Sequence, residues 1–496
     1  MNLNIFINTL YLYGRTIFTA GLGLVTLSIS LKALGHEGFG VYNVLLGVVS
    51  FASFLQLALN NVTQRFIAHR LGGNKKNEIS KIFSLNILLY FIICVLVFIG
   101  FKLTEQFYVK SDLKIPSAYD EVFIEVYNYV AISFIFTFIS SPFISLLLAS
   151  EDMKLYAAIS ILDAVLKMLA SSVLFLIEDG RLLIFAKLMC AETLLIFAIY
   201  FFLTRAKYKN IRFSISLINI PDVIEILRYI SWTLYGSFTS VVKVHGITLM
   251  INQLSSPAIV AARIIALNVA NSVKLLSYNF NLSINPPIIK SFAINDHAHA
   301  YNLVLSGSRL TFALMWIVCA PVLLNMNYLL ALWNGNLPDY TASISKLMIF
   351  EVLISSTSAP LASAARALGN IKWYEIILGT MQLCIIPLAY VLYVEYETVE
   401  SIFYVAVLVN IMMFFVRLKI VSVLTGLAVV EYVKLTLIPI VKVIFVIAVL
   451  LLLFQMYFRE GLWSFICFSI INFLITVVIL ISRDERKMLY RKITGR

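Results

Sequence analysis

Apolar runs of about 20 residues recur along the chain, separated by short polar connections. That is the length a helix needs to cross a hydrocarbon core. The pattern predicts spanning helices over 10–34, 40–62, 82–103, 122–149, 156–178, 182–203, 229–253, 257–281, 303–325, 342–366, 371–394, 398–424, 434–457 and 461–482. The fold class expected is therefore an all-α polytopic membrane protein with about fourteen transmembrane helices. No connection exceeds about 25 residues, too short for a soluble catalytic domain, so an enzyme is not expected. The longest outer connection, around 104–121, carries mixed charge and Pro116. Pro142, Pro321, Pro360, Pro387 and Pro439 fall inside spans, where neighbouring helices or a wet cavity must satisfy the carbonyls that proline frees.

Charge in the connections sets an orientation. With the N-terminus in the cytoplasm, 23 basic connection and tail residues lie inside, among them Arg65, Arg70, Lys207 and Arg228, and 6 lie outside. This asymmetry predicts cytoplasmic N- and C-termini. The formal net charge of +12 is then a matter of topology, and no nucleic-acid partner is implied. Spans 1–6 and 7–12 read as two halves offset by about 222 residues: Tyr13-Gly14 matches Tyr235-Gly236, the turn at Leu34-Gly35 matches Ser256-Pro257, and Gln64-Arg65-Phe66 matches Pro286-Pro287-Ile288. Six spans per half is an even number, so both halves keep one orientation around a pseudo-two-fold along the membrane normal, with a cavity between two bundles. The expected division is 1–210, 211–425, and 426–496 for two additional helices and a basic tail.

Composition adds little to this, at 61% hydrophobic and 13% charged. The five cysteines all lie in apolar runs without CxxC or Cys/His grouping, so neither a disulfide framework nor a metal site is indicated, and no cofactor is expected. The informative residues are charges inside spans. Arg15, Lys167, Lys187, Lys243, Arg263, Lys274, Arg309, Lys346 and Lys442 are embedded against only Asp163, Glu192 and Glu351. A cation at the bilayer centre costs roughly 2.5–3.5 kcal/mol even on the lenient insertion scale. Asp163 and Lys167 are spaced i,i+4 and can pair on one face, so a structural ion pair is expected there. Lys187 and Glu192, like Lys346 and Glu351, are five apart and cannot pair locally. No acid occurs between Glu225 and Asp296, which leaves Lys243 in span 7 and Arg263 and Lys274, on one stripe of span 8, without a local counter-ion. Lys243, Arg263 and Lys274, with Lys187 behind them and Arg15 from the other half, are the candidate lining of a cavity that receives an anionic head group. Asp163, Lys167, Glu192, Glu351 and His245 are the candidates for ion pairing or coupling.

The run Leu34-Gly-His-Glu-Gly-Phe-Gly-Val-Tyr-Asn43, followed by Asn60-Asn-Val-Thr-Gln-Arg-Phe66, resembles Wzx-type oligosaccharide flippases of bacteria. So do Ala261-Ala-Arg-Ile-Ile-Ala266, Pro287-Ile-Ile-Lys-Ser291 and the stretch from Pro360 to Asn370. These flippases form the polysaccharide-export branch of the multidrug/oligosaccharidyl-lipid/polysaccharide (MOP) superfamily. The resemblance implies translocation of an undecaprenyl-pyrophosphate-linked repeat unit, of O-antigen in lipopolysaccharide or of capsule, from the cytoplasmic to the periplasmic leaflet of the inner membrane. Two bundles would alternate access to a cationic cavity, and membrane lipids and the polymerase and chain-length machinery of the pathway would be partners. A multidrug exporter of the same fold is the rival expectation. Such exporters take cationic drugs on membrane-embedded acids, and the net positive interior argues against that.

Overall fold

The computed structural model describes residues 3–50, 52–73, 76–106, 119, 121–209, 211, 214, 219–255, 257–333, 338–457 and 461–481. In chain order the helices are α1 (Leu3–Ser50), α2 (Ser53–Gly72), α3 (Lys76–Thr104), α4 (Phe123–Ala149), α5 (Met153–Val173), α6 (Arg181–Lys207), α7 (Ile220–Leu254), α8 (Pro257–Ala293), α9 (His297–Leu324), α10 (Met326–Trp333), α11 (Thr341–Thr357), α12 (Ala359–Ala367), α13 (Lys372–Tyr396), α14 (Val399–Thr425), α15 (Val429–Tyr432), α16 (Ile438–Tyr457) and α17 (Leu462–Leu480). A π-helical turn, Val433–Leu437, joins α15 to α16. The chain is an all-α multi-pass membrane protein. Most of the outer connection expected around 104–121, and Ser256 of the expected span 7–8 turn, lie outside the described residues.

Among the described residues, thirteen of the fourteen expected spans appear as helices long and apolar enough to cross a membrane. The second, expected over 40–62, crosses residue 51, which lies outside the described residues. Gly35, at φ 71° and ψ 173°, breaks α1 into two helices; the turn expected at Leu34-Gly35 is there, in a conformation that only glycine adopts without strain. Past Gly35 the chain is helical to Ser50, and α2, from Ser53, carries a polar series within its bundle. Thr63 Oγ1 donates to Asn86 at 2.9 Å, Tyr90 to Asn60 at 2.8 Å, and Gln56 to Ser141 Oγ at 2.9 Å. Each polar group finds a partner inside the bundle, as an apolar surrounding requires.

The chain divides into two compact units, Phe6–Leu234 and Met1–Ile5 with Tyr235–Arg496. The division falls within α7, and the two last helices belong to the second unit. In the first unit α4 packs on α6, α2 and α3, and α5 packs on α6. In the second, α11–α12 take the place of α4: they pack on α8, α9 and α14, and α13 packs on α14. Helix for helix, each unit makes the same pairings. Gln56–Ser141 in one is answered by Ser363–Asn285 in the other. The appended helices lie against α9, where Phe312 and Trp316 stack 5.5 Å apart. Pro321 has no N–H to offer the carbonyl of Ile317, and buried Asn472 of α17 donates to that oxygen at 3.1 Å and to Trp316 O at 3.2 Å.

Candidate functional site

The first unit holds one group of embedded charges around a cavity. On α5, Lys167 donates to Asp163 at 2.9 Å, the pairing its i,i+4 spacing predicts. Arg15 on α1 donates to the hydroxyl of Tyr156 at 2.6 Å and lies 4.9 Å from the centre of that ring. Glu192 on α6 is buried, with Asp163 and Lys167 the charged groups that act on it. Two adjoining cavities of about 540 and 420 Å³ share Thr26, Tyr42, Leu46, Lys167 and Phe185. Arg15 and Asp163 line the larger, Glu192 the smaller. Two cations and two carboxyl groups thus face one space. Lys187 is not among them. It pairs with Glu125 at 3.3 Å and sits over Tyr129, both charges exposed, an arrangement that contributes little.

The second unit holds a buried group of the opposite balance. Lys243 on α7 is paired with Glu351 on α11, their side chains 9% and 19% exposed. Lys243 was expected to lack a counter-ion because none lies near it in sequence; Glu351 reaches it from a helix more than a hundred residues away. Arg263 on α8 is also buried. It donates to Thr248 Oγ1 and, at 2.9 Å, to the carbonyl of Val244, with Glu351 the acid that acts on it. Two cations therefore share one carboxylate among the described residues. Spacing places Arg263 and Lys274 on one stripe of α8, yet Arg263 is buried and Lys274 is exposed beside Asn268 and Asn271. The long Arg263 side chain crosses to α7, whereas Lys274 stays at the helix surface. His245 is exposed, and Arg309 and Lys346 are half-buried.

Sequence reasoning missed two further groups. Glu375, buried one turn into α13, lies 3.7 Å from Arg366, with Arg417 also acting on it; Arg417 lies over Tyr374 and donates to Ser358. Gly236 of α7 lies directly against the Glu375 carboxylate. In the first unit, buried Arg65 is sandwiched by Phe66 and Tyr229, and Lys81 pairs with Asp222 at 2.5 Å. The available signal was an acid one helical turn beyond a basic connection, visible for Glu375 next to Arg366 and Lys372 and for Asp222 and Glu225 before Arg228. Counting basic residues for topology hid it.

Comparison with solved structures gives the class. A crystal structure of a MATE point mutant superposes with a TM-score of 0.74 at 13% identity, covering 85% of this chain and 96% of that one. A MOP superfamily transporter from Pyrococcus furiosus, whose binding pocket is described as reversed in polarity, has the same score at 12% identity, with 85% and 95% covered. The Vibrio cholerae MATE transporter VcmN in its bent form gives 0.64 at 14%, covering 88% and 100%. The fold is thus that of the MATE transporters of the MOP superfamily. A search of curated proteins returns no match. The family described as "Polysaccharide biosynthesis protein" matches residues 5–278, more than half of the chain, and the chain belongs to it. Family and fold together agree with the resemblance to the polysaccharide-exporting branch of the superfamily.

Proposed function

We propose that the protein is a flippase that moves an undecaprenyl-pyrophosphate-linked oligosaccharide, an O-antigen or capsule repeat unit, from the cytoplasmic to the periplasmic leaflet of a bacterial inner membrane by alternating access. Both termini face the cytoplasm in this reading. The observation that carries it is the charge balance of the second unit, where Lys243 and Arg263 share the single carboxylate of Glu351. A residual buried positive charge is costly on its own and attracts the pyrophosphate of the cargo. Exposed Lys274 adds to the same attraction, and Arg15 serves the cargo from the first unit. Asp163, Lys167, Glu192, Glu351 and His245 are the groups through which ion coupling would act. The polymerase and chain-length machinery would receive the product, and the protein itself makes and breaks no bond.

Deleting the gene should abolish surface glycan and trap lipid-linked repeat units at the inner leaflet, and the intact gene should restore display. Mutants Lys243→Ala, Arg263→Ala and Lys274→Ala should insert normally and fail to restore it. Normal display in all three would remove these cations from the cargo path. The rival reading, a multidrug exporter, draws on the acids Asp163 and Glu192 beside the first-unit cavity. Lowered accumulation of a cationic dye with unchanged surface glycan would favour it.

A further inference from the structure

The cavity of the first unit has a chemistry that neither an ion nor a lipid tail requires. Five of its hydroxyl groups donate within their own helices. Thr26, Ser133, Thr137, Ser160 and Thr193 each donate to the carbonyl four residues back in their own helix, at 2.7–3.0 Å. The amide of Asn43 does the same to Phe39 at 2.8 Å. What the hydroxyls offer the cavity is lone pairs, since each oxygen keeps acceptor capacity after donating, while Asn43 keeps its amide oxygen and one N–H. The carboxyl group of Glu192, on which Asp163 and Lys167 act, lines the smaller cavity. Tyr42 and Phe185, in edge contact at 4.7 Å, form an aromatic wall shared by both cavities. The space is therefore supplied with acceptors, walled by rings, and holds Arg15 and Lys167 beside Asp163 and Glu192.

We propose that this cavity binds a sugar residue of the cargo. A saccharide presents many hydroxyl donors around an apolar ring face, which complements acceptor oxygens beside aromatic walls. At about 540 and 420 Å³ each cavity lies in the range of pockets that enclose small organic ligands. A proton or bare metal ion needs only a few converging oxygens, and the Lys167 ammonium already occupies Asp163. A hydrocarbon chain would strand the charged groups without partners. A cationic drug is repelled by Arg15 and Lys167, which stand beside the acids. The inference rests on the flippase reading and divides the work of recognition: the second unit takes the anion, the first reads the sugar.

The test uses the full-length protein in detergent with Cys94, Cys190, Cys319, Cys384 and Cys467 all replaced by Ser, so that Thr193→Cys reports from the cavity through its rate of maleimide labelling; Thr137→Cys is a second reporter should the first fail to fold. The probes are neutral disaccharides, maltose and N,N′-diacetylchitobiose, set against equal concentrations of sodium chloride and of a cationic dye. At four times its dissociation constant a disaccharide should slow labelling about fivefold. Adding Glu192→Gln should weaken that protection. Protection by sodium or the dye with none by either disaccharide would overturn the inference, and so would the absence of protection by every probe. Flipping of a lipid-linked oligosaccharide by the wild-type protein is measured in parallel. Flipping without saccharide protection defeats the sugar site alone, and protection without flipping defeats the flippase reading alone.

Discussion

Replacing Glu351 by Gln removes the one carboxylate that Lys243 and Arg263 share. Lys243 and its partner are largely withdrawn from solvent, with 9% and 19% side-chain exposure. Breaking such a pair by removing one member leaves an uncompensated charge, at a cost of about 3–5 kcal/mol. The partial exposure of Glu351, and the bonds Arg263 keeps to Thr248 and the Val244 carbonyl, place this case near the lower end, about 3 kcal/mol. Denaturant titration in detergent micelles measures it. The double variant Lys243→Met with Glu351→Leu should lie closer to wild type than Glu351→Leu alone, because only Arg263, held by Thr248 and the Val244 carbonyl, is then left without its acid. Inorganic pyrophosphate extends the test. If the two cations receive an anion, the ligand should restore Glu351→Gln, by about 2.7 kcal/mol at a hundredfold its dissociation constant. Single and double variants whose costs simply add, each below about 1 kcal/mol, together with no recovery in pyrophosphate, would refute both the pairing and its link to anion binding.

Asn472→Leu should lower stability by about 1–2 kcal/mol through the Ile317 carbonyl it leaves bare beside Pro321, seen as a lower unfolding midpoint. Gly236→Ala places a Cβ against the Glu375 carboxylate and should cost about 1–3 kcal/mol; adding Glu375→Ala should recover part of that, whereas a loss unaffected by the second change would place the clash elsewhere. Lys187→Ala breaks only an exposed pair with Glu125 and should change stability by less than about 0.5 kcal/mol, with glycan display preserved. Loss of display in that variant would return Lys187 to the cargo path.

Hydrophobic run length made the spans legible, and the Leu34-Gly35 turn was visible because glycine marks a backbone that other residues avoid. Local spacing placed Asp163 with Lys167, the one embedded pair that a single helix turn can close. Partners on other helices escaped it: Glu351 for Lys243, Glu125 for Lys187, and Val244 and Thr248 for Arg263. Each depends on packing between segments that only the folded chain brings together. The acceptor-rich cavity was hidden for a different reason. Thr26, Ser133, Thr137, Ser160 and Thr193 are isolated hydroxyls in separate spans, and serine or threonine bonded to its own helix is ordinary in an apolar segment.

The account turns on whether the protein carries a lipid-linked pyrophosphoryl oligosaccharide across a bilayer. The direct measurement is its reconstitution into vesicles holding a fluorescent undecaprenyl-pyrophosphate-linked oligosaccharide, with transbilayer movement followed by quenching of the label on the outer leaflet. Wild-type protein should move the lipid well above the rate of protein-free vesicles, and Lys243→Ala or Arg263→Ala should return it to that background. Movement no faster than in protein-free vesicles, while the same vesicles transport a cationic dye, would contradict it.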